Sequence, residues 1–199
     1  MPSIVAGRGQ VALGAEELEC VAQLLQSRFG FRLAEIQERN LKEAVRERMR
    51  RLGCAHGTDY VCELLGSPAD GGELGELVSE YTNTETHFFR HRGRFELLCA
   101  RVVPAVVERK RRSGGPIRVL SAGCSTGDEV YSIVMSLWPL RPAWCELGLE
   151  VVGCDINERA LAKARQACYG SWPLRFTPSQ VKAELFVPRP ASTRSSAAM

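Results

Sequence analysis

Apolar residues recur every three or four positions through the first eighty residues. In EELECVAQLLQSRFG they stand at 18, 21, 24 and 25, the stripe of an amphipathic helix. Gly30 follows as a stop. LAEIQERNLKEAVRERMRRLG repeats the pattern, with Leu33, Ile36, Leu41, Val45, Met49 and Leu52 on one side and Gly53 closing it. TDYVCELLG, with Thr58 or Asp59 as the cap, and ELGELVSEY predict a third and a fourth helix. The connections CAHG and SPADGG are short and turn-rich. The pattern therefore predicts a small antiparallel helical bundle over residues 12–82.

After residue 95 the pattern changes. FELLCARVVPAVVERKRRSGG predicts a helix broken or restarted at Pro104, ending in a basic cluster and a Gly-Gly turn. Ile117–Ala122 is a short β-branched and apolar run, the pattern of a buried parallel strand. Gly123 and Gly127 punctuate a tight turn, and Asp128 opens a helix that reaches about Trp138. LGLEVVGCDIN gives a second strand, Leu149–Cys154, with Asp155 at its carboxyl end. Strand, glycine turn, helix and strand open a nucleotide-binding α/β unit. The expected fold class is thus α/β. A linker and interdomain helix over 83–112 lead into a partial Rossmann-like domain over 113–178. Residues 179–199, which end in VPRPASTRSSAAM, read as a disordered tail.

Composition adds exclusions. Hydrophobic content of 45% and charged content of 25% are ordinary for a globular protein, and a net charge of +3 is too small to mark a nucleic-acid binder. No apolar run approaches the roughly 20 residues that span a bilayer. MPSIVAGRGQ lacks the apolar core of a secretory signal, so a cytoplasmic location is expected. None of the eight cysteines forms a CxxC pair, and His56, His87 and His91 complete no zinc pattern. The cysteines are expected to be small buried or half-buried thiols.

Three stretches carry candidate chemistry. Arg39, Lys42, Arg46 and Arg50 form a cationic ridge that Arg48 and Arg51 widen. It is either a solvated face, neutralised by Glu35–Arg39, Glu38–Lys42 and Glu47–Arg51 pairs, or a dock for an acidic partner. The turn G-C-S-T-G is followed directly by Asp128 and Glu129. Two carboxylates would repel a pyrophosphate but suit a sulfonium or amino group, which favours S-adenosylmethionine over NAD. The same acids could instead only complement the helix dipole. Asp155 either accepts both ribose hydroxyls or caps the following helix, and strand-end geometry favours the ribose role.

TETHFFR, SAGCSTGDEVYSI and GCDINERALAKARQACYG, in this order behind the helical domain, resemble the CheR-type chemotaxis receptor methyltransferases over roughly residues 15–175. The resemblance implies methyl transfer from S-adenosylmethionine to glutamate side chains of receptors, giving methyl esters. It implies cofactor contacts from Thr86, Arg90, Gly123, Glu129 and Asp155. Thr84 stands where many members have asparagine. Phe88 and Phe89 would pack at the domain junction. RERMRRLG matches the family's basic helix, so Arg46 and Arg50 become candidate docking residues for the glutamate-rich cytoplasmic helices of chemoreceptors. No direct membrane insertion and no nucleic-acid partner are implied. A glutamate carboxylate is already ionised at neutral pH, so no catalytic base is expected.

The family's later strands, one of which carries an R-N-V motif beside the cofactor, have no counterpart in the sequence, which therefore reads as a truncated or diverted member. That predicts weak cofactor binding, with micromolar affinity as the contrary result. It also predicts an unpaired apolar edge on Ile117–Ala122. The alternative reading is a non-catalytic docking module whose basic helix binds an acidic receptor or signalling partner.

Overall fold

A computed structural model describes residues 11–32, 34–68 and 71–188, the side chains of residues 35 and 36 excepted. The chain divides between Thr84 and Glu85. Residues up to Thr84, joined by Ile156–Ala160, make unit 1; Glu85–Asp155 and the residues from Leu161 onward make unit 2. The stretch expected to link the domains therefore belongs almost wholly to unit 2.

Unit 1 holds α1 (Ala15–Phe29), α2 (Glu35–Leu52), α3 (Gly57–Gly66) and α4 (Gly72–Tyr81). Gly30 and Gly53 end α1 and α2 in the left-handed conformation, at φ 74° and 73°, where any side chain would be strained. α2 packs on α4 and α1 on α3. Val21, Leu25, Leu41, Val45, Met49, Tyr60, Leu64 and Leu77 form the buried core. Three details depart from the sequence pattern. Leu52 is exposed at the end of α2, although Met49 one turn before it is fully buried. His56, not Thr58 or Asp59, stands at the N-cap of α3, with no side-chain cap bond. Leu33 and the Ile36 side chain lie outside the described residues.

Arg48 is the main correction in α2. It does not widen a solvated ridge but is buried and forked onto Glu73 of α4, Nε to Oε1 at 2.8 Å and Nη2 to Oε2 at 2.6 Å. Tyr60 donates its hydroxyl to the same Glu73 at 2.9 Å. Arg48 also reaches Glu76 at 3.4 Å. Glu76 and Glu80 pair in turn with Arg159, and Glu80 with Arg51. Within the proposed surface pairs, Glu47 does meet Arg51, at 3.0 Å.

The hydrogen bond from Arg159, reinforced by the charges of Arg159, Arg48 and Arg51, holds the Glu76 carboxyl below its ordinary range against the opposing pull of burial. A carboxyl lowered by folding stabilises the fold fully above its unfolded value of about 4.3 and loses that contribution as pH falls through the folded value. Glu76→Gln is therefore expected to flatten the loss of stability below about pH 4.3 and to leave the shape of the profile above it unchanged. Urea midpoints measured across acid pH check this.

Unit 2 holds α5 (Arg92–Leu97), α6 (Val103–Ser113), β1 (Ile117–Ala122), α7 (Asp128–Leu137), α8 (Arg141–Trp144), β2 (Leu149–Cys154) and α10 (Ser179–Leu185); α9 (Glu158–Gln166) starts in unit 1 and continues into it. Leu98–Val102 is a π-turn joining α5 to α6. Pro104 has no N–H to offer the carbonyl four residues back, and the ladder widens ahead of it. β1 and β2 run parallel, Ile117 facing Leu149 and Ala122 facing Cys154. Phe95, Val103, Val107, Ile117, Ile133 and Leu137 cover the inner face. β1 is thus buried on one face only: Leu120 and Val152, opposite each other in the register, are 66% and 56% exposed. Among the described residues β1 has a strand on one edge alone.

Residues 179–185, expected in the tail, form α10, and Phe186 behind it packs edge-on to Phe88 at 5.3 Å. Residues 189–199 lie outside the described residues. The thiol expectation is also corrected: none of the eight is in a disulfide, but Cys20, Cys62, Cys145, Cys154 and Cys168 are exposed and only Cys124 is fully buried. Cys145 and Cys168 lie just past helix ends and Cys154 on the open outer face of β2, where apolar neighbours in sequence give no cover in space.

Candidate functional site

The glycine turn is pinned to the end of β2. The amides of Gly123 and Cys124 both donate to the Cys154 carbonyl, at 2.8 and 3.0 Å. Gly123 has φ 73° and a side chain there would meet open space, so a ligand can come close to this backbone. Gly127 has the opposite need. At φ 86°, an added Cβ would lie 2.9 Å from Ala164 and 3.1 Å from the Tyr169 hydroxyl. That hydroxyl donates to the Thr126 carbonyl at 2.7 Å and holds the turn from behind.

Asp155 stands just past β2 with Oδ2 accepting the Ser125 amide at 2.7 Å. Ser125 adopts φ 50° to present that amide. The helix cap is a different residue: Asn157 Oδ1 accepts the Ala160 amide at 2.8 Å. Its Nδ2 donates to the Ser79 carbonyl and the Thr82 hydroxyl within unit 1. Asn157 thus supplies a cap bond to α9, and Asp155 stands at the strand end.

The two acids after the turn part company. Asp128 is fully buried; its Oδ2 accepts the Thr126 hydroxyl at 2.6 Å, and its Oδ1 has no partner among the described residues. Only Glu129 is exposed, and it accepts the Ser121 hydroxyl at 2.7 Å. Cys124 lies between β2 and α7; burial, with the Asp155 charge beside it, pushes its thiol up, so it stays protonated and is no nucleophile.

The TETHFFR segment is stitched to the same helix. The Phe89 amide donates to the Ser132 hydroxyl of α7 at 2.9 Å, and the Phe88 amide to the Pro173 carbonyl at 3.1 Å. Phe88 is wholly buried against Tyr169, at 4.8 Å, and Phe186; half-buried Phe89 meets Phe95 at 5.8 Å. Both rings find these partners inside unit 2, because α7 and the 169–186 stretch supply an apolar wall there. Phe89 and His91 hold positive φ of 55° and 61° on either side of Arg90. Such strain costs about 1–3 kcal/mol per residue and clusters at working sites. Arg90 is exposed and donates to the Glu85 carbonyl at 3.2 Å.

Residues 84–195, more than half of the chain, match the model of the CheR methyltransferase, SAM binding domain. The chain belongs to the CheR methyltransferase family. It is 34% identical to a probable chemotaxis protein methyltransferase of Rhizobium etli over 73% of this chain and 54% of that one. Against the chemotaxis protein methyltransferase of Escherichia coli the identity is 31%, over 87% and 57%. Against the probable biofilm formation methyltransferase WspC of Pseudomonas aeruginosa it is 37%, over 74% and 33%. The chain thus spans between a third and somewhat over half of these CheR relatives.

The CheR cofactor is S-adenosylmethionine, and the residues present suit it. A carboxylate fixed at a strand end can accept ribose hydroxyls, an open glycine backbone admits the ligand, and exposed Glu129 offers negative charge to an amino group. Gly123, Glu129 and Asp155 are brought together by the turn. Thr86 is half-buried and Arg90 exposed on the segment stitched to α7. Thr84 is half-buried at the end of unit 1. Arg46 and Arg50 stand on α2, Arg46 half-buried and Arg50 paired with Glu47. Sequence reading missed Asn157 and Ser132, whose bonds place the neighbouring segments. Asn two residues after the strand-end acid, with a helix beginning next, was the available signal for the first.

Proposed function

We propose that the chain is the N-terminal helical domain and part of the Rossmann-like domain of an S-adenosylmethionine-dependent protein-glutamate O-methyltransferase, acting on chemotaxis receptors from the cytoplasm. The supporting observation is Asp155, fixed at the end of β2 by the Ser125 amide beside the Gly123 turn, inside the region that matches the family's cofactor domain. No helix among the described residues is long and apolar enough to cross a membrane.

In this reading Asp155 accepts the ribose hydroxyls. Arg90 holds the methionine carboxylate through its fork of donors, with Thr86 and Thr84 beside it, and Glu129 takes the amino group. Bound S-adenosylmethionine supplies a methyl group activated by a sulfonium. The substrate's glutamate oxygen would form the new O–CH3 bond as the S–CH3 bond broke, with the bonding pair left on sulfur. No proton moves, so the chain needs no base; alignment and exclusion of water supply the acceleration. Arg46 and Arg50 on α2 steer the glutamate-rich receptor helices.

Transfer of radiolabelled methyl groups to receptor-rich membranes tests the reading. Label on the receptors that base releases as methanol is expected. Receptor capture without label would support the docking module instead, and base-stable label would rule out a glutamyl ester.

A further inference from the structure

A cation is mounted on aromatic rings at a turn of unit 2 that the cofactor site does not use. The Arg175 guanidinium carbon lies 4.0 Å from the centre of the Trp172 ring and 5.0 Å from that of Phe176. Arg175 Nη1 also donates to the Trp172 carbonyl at 2.9 Å. Trp172 and Phe176 are 66% and 64% exposed. The His87 ring packs tilted against Phe176 at 5.2 Å, so the patch runs on from the segment that carries Arg90. The Phe88 amide bond to Pro173 fixes the turn to that segment.

The patch has a definite charge. Arg175 pairs with no carboxylate among the described residues, and neither does Arg90. Burial first, then the charges of Arg175 and Arg90, push His87 down, so it is a neutral ring at pH 7. The carboxylate whose charge opposes this, Asp128, is fully buried. What faces solvent at the turn is the Arg175 guanidinium, held in place by a tryptophan among exposed rings, with exposed Arg90 on the adjoining segment.

Exposed tryptophan and arginine together are the composition of an interface centre. Pre-positioning the guanidinium removes ordering cost on binding. A single fork matches a single carboxylate. A nucleic-acid strand would need a row of cations to follow its phosphates, which the patch lacks. We propose that Trp172, Arg175, Phe176 and His87 form a docking surface for an acidic protein segment, one carboxylate on Arg175 and an apolar side chain against Trp172. This rests on the methyltransferase reading, in which that segment belongs to the protein substrate.

The test is fluorescence anisotropy with a labelled glutamate-rich helical peptide and its Glu→Gln counterpart, in an Arg46→Gln/Arg50→Gln background that silences α2. Arg175→Gln and Trp172→Ala are each expected to weaken binding of the acidic peptide about fivefold or more, roughly 1 kcal/mol. The uncharged peptide should bind weakly and be indifferent to Arg175→Gln. Circular dichroism and cofactor titration should be unchanged. Equal binding of the acidic peptide by parent and Arg175→Gln overturns the proposal, as does equal binding of the two peptides. So does a single-stranded oligonucleotide that displaces the peptide and itself responds to Arg175→Gln. Cofactor titration reports separately on the methyltransferase reading, so either can fail alone.

Discussion

Replacing Asp155 by Asn is expected to weaken S-adenosylmethionine binding by at least tenfold, about 1.4 kcal/mol or more. The substitution keeps shape and leaves an oxygen able to accept the Ser125 amide, now at 2.7 Å. What it removes is the charge, and with it one of the two acceptors a ribose diol needs. Asp155→Ala goes further, because it also frees the Ser125 amide and lets the strained φ 50° turn relax. Calorimetric titration carried to millimolar cofactor separates the two steps: Asn should lose affinity with the thermal unfolding of the free protein unchanged, and Ala should lose both. Equal affinity of parent and Asp155→Asn would remove Asp155 from the site.

The largest effect on stability is expected at Glu73. Glu73→Ala leaves the buried Arg48 charge and the Tyr60 hydroxyl without their shared acceptor. Removing one partner of a buried pair costs about 3–5 kcal/mol. For a unit of this size that lowers the midpoint of thermal unfolding by more than about 10 °C. The double change Arg48→Met/Glu73→Leu should recover much of the loss, since desolvation opposes the pair and apolar groups of similar volume do not suffer it. Urea unfolding followed by circular dichroism measures both. A single variant within about 0.5 kcal/mol of the parent, the usual range of an ordinary surface substitution, would show that the pair carries nothing.

What the sequence made legible was local. Gly30 and Gly53 stop α1 and α2 through their own backbone freedom, and the strand bounds Ile117–Ala122 and Leu149–Cys154 follow from contiguous apolar runs. Arg48 was not legible as a core residue. Its partner lies 25 positions away, while glutamates on its own helix offered nearer pairings. Asp128 and Glu129 read alike as adjacent acids, but one helical step turns the first inward and the second outward. In the site, the turn and Asp155 could be found from their place at strand ends. Asn157 could not be preferred over Asp155 as the cap until Ala160 was seen to choose it. The aromatic mount of Arg175 is a product of turn geometry, which the run WPLRF does not announce.

The outer face of β1 and β2 carries a further consequence. Leu120 and Val152 sit side by side in register and open to water, with Ala122 and Cys154 exposed beyond them. A fluorescent dye that lights up on greasy surfaces will therefore bind the folded protein. Its signal will start high, so dye-based melting curves of this chain will show a reduced amplitude over a raised baseline.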